Sequence, residues 1–262
     1  EEMWKYLTDN APDTAAFAPF LCENDFHNYK AVLKGIIRGR EYEDLLILPA
    51  SVELPALQKA VKEKRFDLLP DYMQKPAAEA YEVLVQPGDS QLADCIIDAG
   101  CMSAQTLLAE KSKNTVIKDL ITVSVFYKNI KAALRAAKTG RSAQFTESTL
   151  TETGVVSKKA MVTAALGGEE KVLELLGKAV TVGGAEAAEA YKKSPGDFEK
   201  YADNRLLSTA KRCKYITIGI EPLIGYMLAR KAQITDLQII YSGVKTGQSS
   251  DKTLERLREL YG

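Results

Sequence analysis

The chain of 262 residues holds one histidine, one tryptophan and four cysteines, and it carries no net charge. Each shortage excludes something. With His27 alone, a Ser-His or Cys-His nucleophilic pair can be built only around that position, and a lone histidine reads as a packed or solvated side chain, at most a pH-sensitive contact. Cys22, Cys95, Cys101 and Cys213 include no C-x-x-C pair, so they read as reduced thiols in a helical core. Lysine plus arginine equal aspartate plus glutamate at 35 each, which argues against nucleic acid as the main partner. No apolar run approaches the ~20 residues needed to cross a bilayer. The opening EEMWKYLTDN has neither the basic nor the apolar part of a signal peptide, so a cytosolic protein without direct membrane insertion is expected. Gly167-Gly168 and Gly183-Gly184 follow no strand pattern and lack the Gly-Lys-Ser/Thr of a phosphate loop. They read as loop hinges, and Gly177-Lys178, followed by Ala179, fails the same test. No catalytic residue, cofactor or metal is expected, since the Glu-x-x-His element of helical di-metal proteins is also missing.

What is present is helical periodicity, in a chain 46% hydrophobic and 27% charged, the ordinary balance of a globular domain. The patterns predict helices over 57–69, 77–85, 91–109, 116–139, 171–180, 185–193, 198–212, 222–244 and 252–260, with almost no strand alternation. The segment ILPASVELPAL reads as a proline-broken connection and KSPGD as a turn. Pro222 suits the first turn of the last long helix, with Glu221 adding favourable charge at its start.

One stretch recurs. Asn28, Asn129 and Asp236 lie 101 and 107 residues apart, and each opens a twelve-residue segment that ends in glycine, at Gly39, Gly140 and Gly247. Tyr29, Val32, Leu33 and Ile36 correspond to Ile130, Ala133, Leu134 and Ala137, then to Leu237, Ile240, Tyr241 and Val244, all apolar and all on one helix face. Each glycine stands where a left-handed residue would stop the helix. Asp98 and Asp203 precede Asn129 and Asp236 by 31 and 33 residues, a second matching register. A loop then leads to a candidate Ser cap at Ser51, Ser157 or Ser250.

The expectation is an all-α protein of three similar units, divided as residues 1–76, 77–183 and 184–262. Because apolar periodicity begins upstream at Val116 and Leu223, Asn129 and Asp236 are mid-helix rather than N-caps. A short polar side chain there competes for backbone bonds, so a compensating hydrogen bond to an adjacent helix is expected. Asp98, Asp203 and Glu221 are expected to make inter-helix bonds or ion pairs that recur because the fold recurs.

Charge is uneven along the chain. Residues 111–141 carry eight basic side chains, among them Lys131, Arg135 and Lys138, against the single acid Asp119, whereas residues 41–98 hold twelve acids against five bases. These are either solvated helix faces or opposite-sign docking surfaces, and Lys131, Arg135 and Lys138 are the candidate interface.

At DFHNYKAVLKG and EPLIGYMLARKAQITDLQII the sequence resembles the C subunits of the V-type/A-type rotary ATPases, the family that includes the d subunit of the eukaryotic enzymes. The resemblance extends over essentially the whole chain in helical layout and is specific in these two motifs. It implies three helical units around a pseudo-threefold axis that form a funnel. It also implies a non-catalytic collar that receives the central shaft, sits on the membrane ring of proteolipid subunits and turns with both. The location implied is peripheral, on the cytoplasmic face of a membrane, and the coupling ion and the direction of ATP chemistry then belong to other subunits. Family members extend further at the N-terminus, so the chain is expected to lack that part. Gln233 and Gln238 stand where the family usually has an acid and an arginine, and Ala99, Gly100 and Cys101 stand where an aromatic residue is usual. Without the resemblance, a helical scaffold or adaptor unrelated to rotation is the alternative reading.

Overall fold

Helical spacing of apolar residues translates into thirteen α-helices and no β-strand among the described residues. The computed structural model describes residues 2–86 and 88–262. The helices are α1 (Glu2–Asn10), α2 (Ala18–Arg38), α3 (Leu54–Lys62), α4 (Asp71–Val85), α5 (Ser90–Lys111), α6 (Thr115–Lys138) and α7 (Ala143–Thr149). They continue with α8 (Lys158–Leu166), α9 (Glu169–Gly177), α10 (Gly184–Lys193), α11 (Pro195–Ala210), α12 (Glu221–Lys245) and α13 (Ser250–Glu255).

Local chemistry sets the helix starts. Asp89 accepts from the Leu92 amide, Asn114 from Ile117, Ser157 from Ala160 and Ser194 from Asp197, so α5, α6, α8 and α11 each begin on a side-chain cap. Of the other two serines in that pattern, Ser51 gives its amide to Asp25, and Ser249 rather than Ser250 precedes α13. Pro222 lies in the first turn of α12, as expected. The helix expected over 57–69 stops at Lys62, where the chain turns through Lys64 at φ 54°. That expected over 252–260 stops at Glu255, because the Arg258 amide is given to Asp236 instead of to the preceding turn. Helices α1 and α7 were not legible as periodic patterns.

The three expected stops are the same structure. Gly39, Gly140 and Gly247 have φ of 62°, 59° and 67°. In each case the glycine amide bonds three residues back, to Ile36, Ala137 or Val244, and the next amide bonds five back, to Gly35, Ala136 or Gly243. That paired pattern is the Schellman motif, and it closes α2, α6 and α12 alike.

The long helices share a core at one end and part at the other. Phe20 of α2, Leu120 and Ile121 of α6, and Ile224 and Met227 of α12 pack into one buried cluster, joined by Leu7 of α1 and Met102 of α5. Beyond it the stripe of α2 enters a second core with α3, α4 and α5, and the stripe of α6 a third with α8, α9, α10 and α11. A division at residue 76 falls inside α4, and one at residue 183 falls immediately before α10. By length and composition α5 matches a membrane-spanning helix, but half of its most apolar window is buried, where it packs on α2, α4 and α6. All four cysteines are free thiols, with Cys22, Cys101 and Cys213 buried.

Candidate functional site

Asn28, Asn129 and Asp236 are all interior to their helices, and each does the same job by the same geometry. The Asn28 amide donates to the Ile47 carbonyl at 2.9 Å while its oxygen accepts from the Ile47 amide at 2.8 Å. Asn129 makes the same pair with Thr151, at 2.9 and 3.0 Å. Asp236, which can only accept, takes the Arg258 amide at 2.8 Å. The partner is therefore the backbone of a non-helical strap 19 or 22 residues downstream, not the adjacent helix expected. The reason is that a strap has backbone groups to offer, whereas those of a helix interior are already paired.

The first strap has further holds that the periodicity did not reveal. Asp25 accepts from the amides of Ser51 and Val52 at 2.6 and 3.0 Å, Asn24 donates to the Pro49 carbonyl at 2.8 Å, and His27 Nε2 lies 2.9 Å from the Leu45 carbonyl. The signal was present as END-HN, a density of short polar side chains unusual for an apolar helix. Asp25 is fully buried with Oδ2 unpartnered, and burial pushes its carboxyl above the usual range despite the two amides.

The acids differ from one another. Asp98 on α5 pairs with Lys30 on α2 at 2.5 Å, beside a second pair, Asp94 to Lys34, at 2.6 Å. Asp203 on α11 instead takes the Arg258 guanidinium at 2.6 Å, so it holds the third strap and not a helix. Glu221 accepts from the Asn114 side chain at 2.8 Å and ties the start of α12 to the start of α6. The three acids do not form one recurring ion pair, because in the third unit the cation comes from the strap.

A groove of about 570 Å³ runs between α2, α5 and α6. Asp94 and Asp98 line it from α5, and Lys131 and Arg135 from α6. Lys131 lies 3.7 Å from Glu199 of α11, while Arg135 and Lys138 are exposed. Lys138 is not part of the groove lining, so the candidate interface is only partly gathered there. At the base, where the long helices part, Glu23 of α2 contacts Lys128 of α6 and lies 3.7 Å from Lys231 of α12, and the side-chain amide of Gln105 donates to it from α5. Burial pushes Glu23 upward, but the two ammonium groups outweigh it and hold the carboxyl below its usual range. Lys128 is raised by the same pairing against its own burial.

Three long helices that share one stop and one kind of latch, two of them flanking a charged groove, define an all-helical protein. The model of the ATP synthase (C/AC39) subunit family matches residues 1–256, and the chain belongs to that family. It is similar to the C subunit of the V-type sodium ATPase of Enterococcus hirae, at 21% identity over 264 residues, which covers 99% of this chain and 80% of the relative.

Proposed function

We propose that the protein is the non-catalytic central-stalk collar of a rotary V-type/A-type ATPase, carrying torque between the rotor shaft and the membrane ring of proteolipid subunits. The observation that carries the reading is the threefold use of one device, a long helix stopped by a left-handed glycine and latched to its own strap, in a chain of the C/AC39 family. A collar must resist twisting. Latches that pin each strap to the middle of a long helix remove the freedom by which a loop-linked bundle would shear under load.

In this reading the three units stand around a pseudo-threefold axis as a funnel, with the rotor shaft received between the long helices. The protein is peripheral, held at the cytoplasmic face of the membrane by its partners. Surface charges steer encounter: Lys131, Arg135 and Lys138 form a basic face of α6, and exposed charges change association rates more than fold stability. The test is charge reversal of all three to glutamate, followed by thermal denaturation and by reassembly with shaft and ring across ionic strength. Slower reassembly at an unchanged Tm is expected, with the difference shrinking as the screening length falls from ~10 Å at 0.1 M salt to ~3 Å at 1 M. Unchanged reassembly would reduce the basic run to a solvated face, and a lost fold would make it structural.

A further inference from the structure

Two of the four thiols face each other across α2 and α5. These helices run antiparallel, so their contacts fall along one as they rise along the other. The Gln105 side-chain amide donates to the Pro19 carbonyl at 3.0 Å, a carbon added at Gly100 would stand 3.2 Å from Phe26 Cε1, Lys30 pairs with Asp98 and Lys34 with Asp94. Cys22 lies between Pro19 and Phe26, and Cys101 between Gly100 and Gln105, so this register sets the two level. Their thiols are in hydrogen-bonding contact, and Cys22 Sγ also lies 3.4 Å from the Pro19 carbonyl. The other two cysteines stand apart. Cys95 is six residues earlier on α5, about 9 Å along the helix, and Cys213 belongs to the core shared by the three long helices.

The two facing thiols are not equivalent. Cys101 is 9% exposed and lines the groove of about 570 Å³, whereas Cys22 is 1% exposed. Contact with Cys101, burial and the carboxyls of Glu23 and Asp25 push the Cys22 thiol well above its usual range, so Cys22 keeps its proton. The Lys128 ammonium, which also lines the groove, interacts with both sulfurs and favours a thiolate. Cys101 is therefore the sulfur that an oxidant arriving through the groove meets first.

We propose that Cys22 and Cys101 are a redox-active dithiol, closed by a peroxide to a disulfide that staples α2 to α5. Hydrogen peroxide is scarcely larger than water and enters by the groove. The Cys101 sulfur attacks one peroxide oxygen; the S–O bond forms, the O–O bond breaks, and the departing oxygen leaves as water with the proton of the Cys101 thiol. The Cys22 sulfur then attacks the Cys101 sulfenic acid; the S–S bond forms, the S–O bond breaks, and hydroxide leaves as water with the Cys22 proton. Two thiols are oxidised by two electrons and one peroxide is reduced to two waters. Side chains that already touch from facing helices converge as a disulfide requires. The staple fixes one wall of the groove, because α2 can then no longer slide along α5.

The test exposes the reduced wild-type chain to hydrogen peroxide in its native fold and removes the excess with catalase. The chain is then unfolded in N-ethylmaleimide and its peptides are mapped by mass spectrometry. Expected is a linked pair of peptides holding Cys22 and Cys101, lighter by two hydrogens than their sum and separated by dithiothreitol. In Cys22→Ser, Cys101 lacks its resolving partner and stops as a sulfenic acid that dimedone traps, whereas in Cys101→Ser the buried Cys22 stays a thiol. The oxidised wild type should melt about 5 °C or more above the reduced form and lose that gain in dithiothreitol, because the bond closes a long loop in the unfolded chain. Recovery of Cys22 and Cys101 as maleimide adducts overturns the proposal, as does a link from either to Cys95, Cys213 or a second chain. The decisive map is made on wild type, so it holds even where a serine variant fails to fold.

Discussion

Removing the latch at Asn129 should cost more than removing either of its counterparts, and the structure says by how much. Asn129 is fully buried and bonds both backbone groups of Thr151, itself nearly buried. Asn129→Ala strands a donor and an acceptor away from water, at about 1–3 kcal/mol each, while alanine returns about 0.5–0.7 kcal/mol of helix propensity. The net loss is about 1–5 kcal/mol, which at about 2–4 °C per kcal/mol for a chain of this size lowers Tm by about 2–20 °C. Asn28 makes the same two bonds, but Ile47 is exposed, so water can replace the lost side chain and Asn28→Ala should cost only about 1 kcal/mol. Asp236→Asn keeps the acceptor for the Arg258 amide and should be close to neutral. Asn129→Asp should not be, because it sets a carboxylate oxygen against the Thr151 carbonyl in a dry site. Differential scanning calorimetry of the four variants provides the ranking. Equal losses at Asn28 and Asn129 would show that strap burial does not govern the cost.

Two carboxylates should respond to pH with opposite signs. Glu23 titrates below its ordinary value in the fold, so the stability it confers is present above the unfolded value and disappears as pH falls through the folded one; the Tm gap between wild type and Glu23→Gln should close in acid. Asp25 titrates above its ordinary value, so its charged form burdens the fold as pH rises through the unfolded value, and Asp25→Asn should gain on wild type near neutrality and lose that gain in acid. Gly184→Ala should destabilise by about 1–3 kcal/mol or more, since its added carbon would stand 1.9 Å from the Leu176 carbonyl oxygen, whereas Gly154→Ala meets nothing within 4 Å and should be silent in the same melt.

The sequence by itself determined the long helices and the three glycine stops they share. Those rest on local physics: a 3.6-residue stripe, a cap such as Asn114 or Ser157, a left-handed glycine after the last turn. The mid-helix placing of Asn129 and Asp236 was legible for the same reason, because the apolar period runs through them. The latch partners were not legible. Ile47, Thr151 and Arg258 are reached through their backbone, and a backbone amide leaves no mark on residue type, so only the path of the strap decides which one meets the polar side chain. Nor could spacing distinguish Asp98 from Asp203, whose cations come from a helix in one case and a strap in the other. The charge cluster of Glu23, Lys128 and Lys231 joins residues from three separate helices, and tertiary packing alone brought them within reach. The same is true of the bare face of α12: its four apolar residues read like the other eight, and burial is a property of what lies opposite, not of the residues that are buried.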